Sequence, residues 1–296
     1  MGVWGYGRLV MGGAILAACL LLSQSVGADD QPRVRFAVIP WQVEADLGTA
    51  IAFDLEKRLE RCPGMEAVDR LDLARVLRKT ASRESAVAGV IEKLRADVVI
   101  VIGGSDKDGE LRLTVDLWRT VEGPARSFQV SGKLRDFFRC QDEMTAKVVD
   151  ALRSIYPDLP APTAGTKLHP AASFDAWMLA IRGKLAMEKG ENTEARLLLA
   201  QSLEKDPKLW WSHYWLGAVE FHEGDYPRAI GHCRDALALD PDLYPAIYAN
   251  LAYCYAGLGD DAQAATYRAE FERRTGKKLT GVGDELDVGN GRRPVP

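Results

Sequence analysis

The sequence predicts an α/β domain with a mixed sheet, in the order βαβααβββα, followed by an all-α array of helical hairpins. Three observations predict it. Short alternating or β-branched runs interleave with helical stripes over residues 32–156. A proline-rich stretch, 157–172, follows that region. Beyond it, small residues and prolines return 34 residues apart, and self-similarity at such a period marks stacked supersecondary units.

In the first domain, residues 34–39 alternate loosely and stop at Pro40, as a strand does. Over 45–60, Leu47, Ile51, Leu55 and Leu59 recur every fourth residue, the period of an amphipathic helix, and Cys62-Pro63-Gly64 ends it. Residues 65–68 form a second strand, and 71–77 and 87–94 carry two further helical stripes. The unbroken run 98–102, Val-Val-Ile-Val-Ile, predicts a central strand buried on both faces. After a turn at 105–109, Leu111, Leu113, Val115 and Leu117 alternate with Arg112, Thr114 and Asp116, so this strand has one wet face. A turn at Gly123-Pro124 leads to a strand over 127–134. The last helix starts at Asp136 as N-cap and aligns Phe137, Met144, Val148, Leu152 and Ile155.

Residues 34–40, 63–70, the strand pair 96–123 and residues 136–143 together resemble the N-terminal domain of TolB and its relatives in bacterial envelope proteins. The resemblance covers nearly the whole domain. It implies an envelope adaptor rather than an enzyme, and related domains occur in curli export and in cell-wall synthase activator lipoproteins. Cys62 and Cys140 stand where that pattern has aliphatic residues, either as plain core residues or as a disulfide between the first helix and the last.

The prolines of 157–172 favour an extended linker, with the two domains free to move unless they share an interface. Past it, Gly183, Gly190, Ala195 and Pro207 return as Gly217, Gly224, Ala229 and Pro241, and Leu216, Gly224 and Ala229 return again as Leu251, Gly259 and Ala264. The middle unit, with Trp215-Leu216-Gly217, Gly224 to Ala229 and Ala236 to Pro241, resembles the tetratricopeptide repeat. Three hairpins are expected, at 173–208, 209–244 and 245–278, within 173–278. Gly217 and Ala229 are small enough for the paired helices to approach closely.

In such repeats the first helix of each hairpin lines a concave groove. That pattern assigns Trp177, Lys184, Met187, Trp211, Tyr214, Phe221, His222 and Tyr253 to a partner-binding surface. Tyrosine and tryptophan dominate binding hot spots, so the expected partner is a protein or peptide segment with apolar or aromatic side chains. Packing is the competing role for the same residues, and the first domain itself is a candidate occupant of the groove. Trp210 and Trp215 read as core.

The net charge of −4 gives no general pull toward nucleic acid, and no nucleic-acid partner is expected. Gly103-Gly104-Ser105 follows a buried strand but leads into another strand, so it reads as a turn and not a phosphate loop. No catalytic residues and no cofactor are expected. His213, His222 and His232 are nine and ten residues apart and do not stack as an i, i+4 pair would, so no metal site is expected either. Cys233 and Cys254, on adjoining helices, are either a disulfide or two packed thiols.

Residues 1–28 read as a signal peptide cleaved after Ala28. The apolar run 9–22 would rise only about 21 Å as a helix, short of the roughly 30 Å hydrocarbon core. Leu16-Ala17-Ala18-Cys19 offers the alternative of a lipoprotein, with membrane attachment through a lipidated Cys19. Residues 279–296 are glycine-rich and charged, a composition that reads as a disordered tail. The functional expectation is an exported envelope adaptor that binds protein through the groove. The alternative is a lipid-anchored regulator of a cell-wall synthase or secretion complex acting through its α/β domain.

Overall fold

Val34–Pro40 (β1), Met65–Ala67 (β2), Val98–Lys107 (β3), Glu110–Thr120 (β4) and Gly123–Lys133 (β5) pair in the order β2-β1-β3-β4-β5. The first three strands are parallel, and β4 and β5 add antiparallel to β3. Helices Ala45–Leu59 (α1), Arg70–Leu77 (α2), Arg83–Leu94 (α3) and Phe137–Ile155 (α4) complete the α/β part in the expected order. The computed structural model describes residues 33–160, 173–239, 245–276 and 278–279. The expected leader with Cys19, linker residues 161–172, Pro241 and the tail from Thr280 onward lie outside the described residues.

β3 is buried on both faces as its β-branched run requires. Val98, Ile100 and Ile102 join the core under α1 and α4, while Val99 and Val101 join a second core with Val76, Val87 and Val90 of α2 and α3. The glycines after it do not turn. β3 runs through Gly103 and Gly104 to Lys107, and the reversal is the two-residue Asp108-Gly109 turn, both residues at positive φ, which suits a hairpin. Gly104 stays glycine for contact reasons, since a Cβ there would lie 2.3 Å from the Arg112 carbonyl oxygen. β5 begins at Gly123, four residues before the expected start. A 3-10 turn over Leu134–Asp136 precedes α4, and the Asp136 side chain makes no capping hydrogen bond.

Among the described residues six helices follow: Phe174–Glu188 (α5), Asn192–Lys205 (α6), Trp210–His222 (α7), Tyr226–Leu239 (α8), Ala246–Gly257 (α9) and Asp261–Thr275 (α10). They pair as α5/α6, α7/α8 and α9/α10. Each hairpin turns at a glycine of nearly equal φ, +81° at Gly190, +78° at Gly224 and +76° at Gly259. The paired helices touch where the sequence is smallest: a Cβ on Gly183 would meet Leu199 at 2.6 Å, and one on Gly217 would meet Cys233 Sγ at 2.9 Å. Polar contacts join the first two hairpins. Ser202 Oγ, which donates to the Ala176 carbonyl within the first hairpin, lies buried 2.8 Å from Ser212 Oγ of the second, and the part-exposed Arg196 grips Glu220 at 2.9 Å.

Two alternatives left open by the sequence are decided here. The α/β part and the helical array share an interface: Val34–Pro296 is one compact unit, and a single core runs from Val34 and Phe36 through α1 into Trp177, Trp211 and Trp215. The cysteines at 62, 140, 233 and 254 are free thiols, so neither suggested disulfide forms. Cys140 Sγ fills the space over Gly132, Cys62 donates to the Arg58 carbonyl at 3.7 Å, and Cys233 lies against Gly217. Leu279, placed in the expected tail, is buried.

Candidate functional site

The candidate site is built around the seating of α1. Its Leu47, Ile51, Leu55 and Leu59 stripe joins the core of β1 and α4, as an amphipathic helix on a sheet should. One side chain off that stripe, Phe53, is also fully buried. It enters the helical array, with its ring 4.4 Å from Trp211, 5.9 Å from Trp215 and 6.4 Å from Trp177, centroid to centroid. These distances suit edge and tilted aromatic pairs. Trp211 in turn stacks on Trp210 at 3.7 Å.

Cations line the same seat. The Arg70 guanidinium lies 4.4 Å from the Phe53 centroid, and the Lys57 and Lys184 ammonium groups each lie 5.8 Å away. Lys184 Nζ is also 5.5 Å over Trp215 and is paired with Glu188. Such cation–π contacts strengthen when water is excluded. The charges α1 carries beyond Phe53 are buried and paired: Asp54 with Arg58 at 2.6 Å, Arg58 with Asp142 at 2.6 Å, Glu56 with Arg70 at 2.8 Å and Lys57 with Glu60 at 2.7 Å. Burial pushes the Asp54 carboxyl up to about 6 against the opposing pull of Arg58. At the rim, Arg182 reaches Asp46 at 2.8 Å, and Phe137 of α4 meets Phe174 of α5 at 4.9 Å. A crevice of about 370 Å³ beside this rim is lined by Leu47, Leu134, Phe174, Met178 and Arg182, among others.

Seven of the eight side chains assigned to a partner surface are therefore not an open face. Trp177, Lys184, Met187, Trp211, Tyr214, Phe221 and Tyr253 are buried, and His222 is half-buried. Trp177, Lys184 and Trp211 touch Phe53 directly; Tyr214 packs on Trp215 at 4.6 Å, and Phe221 lies 6.4 Å from Tyr253. The residue missed by pattern reading is Phe53. A large apolar side chain off the main stripe, among charges, is the mark of a helix with a second buried face.

The histidines fall differently from their linear spacing. His213 on α7 and His232 on α8 meet across the hairpin, ring centroids 6.1 Å apart, and Asp235 joins them. Burial, and next the neighbouring His213, lowers the His232 pKa, and burial lowers that of His222. The linear spacing placed His232 on the next helix but did not show that the hairpin brings it beside His213, nor that Asp235 lies with them. Cys233 and Cys254 lie close enough to interact, and burial holds both as thiols, Cys254 pushed up to about 12.

Comparison with known proteins bears on the array. Residues 220–267 match the sequence profile of the tetratricopeptide repeat. No curated protein matches the chain. Among solved structures it is similar to a crystal structure of MamA protein, at 20% identity over 34% of this chain and 54% of that one, TM-score 0.32. It is also similar to the first TPR of Spaghetti (RPAP3) bound to HSP90 peptide SRMEEVD, at 17% identity over 36% of this chain and 82% of that one, TM-score 0.34. A second MamA structure aligns at 17% identity over 48% of this chain and 72% of that one, TM-score 0.33. The chain thus spans about half the length of the first of these MamA chains. From the end of α7 into α10, the chain carries tetratricopeptide-repeat sequence.

Proposed function

We propose that this chain is a protein-binding adaptor of the bacterial envelope whose repeat groove is held by its own α1 until a partner segment competes for it. The observation that carries the reading is Phe53 seated among Trp177, Trp211 and Trp215. A groove that accepts a helix through one aromatic anchor has the form of a peptide-recognition surface, and the seating of α1 supports a partner segment of the same kind. The favoured partner is a helical segment with an aromatic anchor flanked by acidic groups that meet Lys184. Export and an envelope role rest on the leader-like residues 1–28 and the TolB resemblance of the α/β domain.

Affinity capture from envelope extract tests this with the intact chain and its Phe53→Ala variant, adding a synthetic peptide of residues 45–59 as competitor. The variant should capture a partner more strongly, the partner should cross-link to α7, and the peptide should displace it. Equal capture by both chains, untouched by the peptide, would remove the groove from the account.

The filled groove also favours a second reading, a lipid-anchored regulator that acts through the α/β domain, whose edge strand β5 is largely exposed. Changing Cys19 to Ser should then abolish membrane association and the mass added by lipid. A wild-type chain that carries no added lipid mass and stays in the soluble fraction, as the variant does, would leave the soluble adaptor.

A further inference from the structure

We infer that the middle hairpin carries a metal site in which His213, His232 and Asp235 bind one divalent transition-metal ion of the zinc class. His232 and Asp235 are three residues apart on α8 and so share a face, and His213 comes to them from α7. One ligand atom from each lies within 4.8 Å of the others.

The tautomer is set by a neighbour. His213 Nε2 lies 3.3 Å from the Pro207 carbonyl oxygen, which can only accept, so in the neutral ring, the metal-binding form, Nε2 carries the proton and Nδ1 the lone pair. A backbone carbonyl that holds one ring nitrogen this way fixes the tautomer and aims the other nitrogen, the usual support for a metal-bound imidazole. The Nδ1 atoms of His213 and His232 are both buried with no hydrogen-bond partner, an unfavourable state for polar atoms that a metal ion would relieve. Asp235 Oδ2 stands 3.8 Å from His213 Nδ1, too far for a hydrogen bond. An ion bonded to both at about 2.0–2.2 Å in tetrahedral geometry would hold them roughly 3.4 Å apart, so this pair must close by about 0.4 Å and no pair of the three by more than about 1.4 Å. Asp235 is largely exposed and free to swing that distance.

Two imidazoles and one carboxylate suit zinc, cobalt or nickel and not the oxygen-seeking magnesium or calcium. Cys233, next in sequence to His232, is turned toward Gly217 inside the hairpin, so the donor set is nitrogen and oxygen only. Three protein ligands leave a fourth position for water or for a carboxylate or imidazole from a bound protein. An ion here ties α7 to α8 in the repeat that also seats Phe53.

The full chain, stripped with chelator and dialysed against zinc chloride, should bind one equivalent. His232→Gln and Asp235→Asn should each weaken that binding by about tenfold or more. Both variants should melt like wild type without metal, and the zinc-induced rise in melting temperature should vanish in them. Cobalt should bind wild type with no near-ultraviolet thiolate band. Absence of binding, unchanged affinity in both variants, or a thiolate band that assigns the metal to the cysteines would each overturn the proposal.

Discussion

Helices α1 and α3 lie on opposite faces of the same sheet and read alike in sequence, each with an apolar stripe at helical spacing and charges between. In α3 the pattern means what it usually means. Ala86, Val87, Gly89 and Val90 are buried while Glu84, Glu92 and Lys93 are exposed, and Ser82 caps the helix in a capping box. In α1 every residue from 50 to 59 is buried, charges included. The difference is what covers the second face: water over α3, the helical array over α1. A polar stripe therefore reports pairing capacity and not solvent. On α1 the charges find Arg58, Asp142, Arg70 and Glu60 as partners, and because desolvation offsets most of the attraction, such pairs fix the fit more than they stabilise it.

The largest effect should come from Phe53→Ala, which empties the point where the two parts meet. A buried aromatic replaced by alanine costs about 3–5 kcal/mol, and urea unfolding should show that loss in one transition for the whole unit. Two separate transitions would break the comparison by making α1 an ordinary sheet helix.

The buried charge comes next. Asp54 has a folded pKa near 6, above its ordinary 3.8, so the folded chain holds that proton more tightly than the unfolded chain. Its ionised form is a cost that is fully present above pH 6 and is relieved as pH falls toward 4, by up to about 3 kcal/mol. Stability of Asp54→Asn relative to wild type should therefore be more favourable at about pH 7.5, above that window, than at about pH 4.5, well inside it. A pH-independent difference would show that Arg58 compensates the burial fully.

Much of this fold is legible in the sequence. The β-branched run at 98–102 names the central strand because only a strand buried on both faces needs it, and the 34-residue return of glycine and alanine names the hairpins. The close helix approach at Gly217 follows from the same residues. What was not legible is anything set by contacts between distant elements. The periodicity of α1 shows one face and is silent on who covers the other. The pairing of His213 with His232 and Asp235 depends on an antiparallel crossing; the turn expected at 105–109 is there, at Asp108-Gly109, but the reading of Gly103-Gly104-Ser105 as a turn fails because the strand register carries β3 through it.

Gly217→Ala sharpens the boundary of the comparison, because its added methyl meets Cys233 Sγ at 2.9 Å in the hairpin whose α7 carries the Trp211 and Trp215 that Phe53 meets. Overpacking there should cost about 1–3 kcal/mol in thermal or urea melts, and a neutral result would mean that the hairpin is looser than its contacts indicate. The smallest effect should be Arg182→Ala. This removes a half-exposed pair with Asp46 at the rim and should change stability by less than about 1 kcal/mol, vanishing at high salt. A loss comparable to that of Phe53→Ala would move the centre of the interface to the rim.

The central claim, that α1 belongs as much to the helical array as to the sheet, is tested most directly by hydrogen exchange on Phe53→Ala beside Val87→Ala. The first should speed exchange in α1, α5 and α7 together, and the second should speed it only in α2 and α3. Protection of α5 and α7 left unchanged by Phe53→Ala would contradict the account.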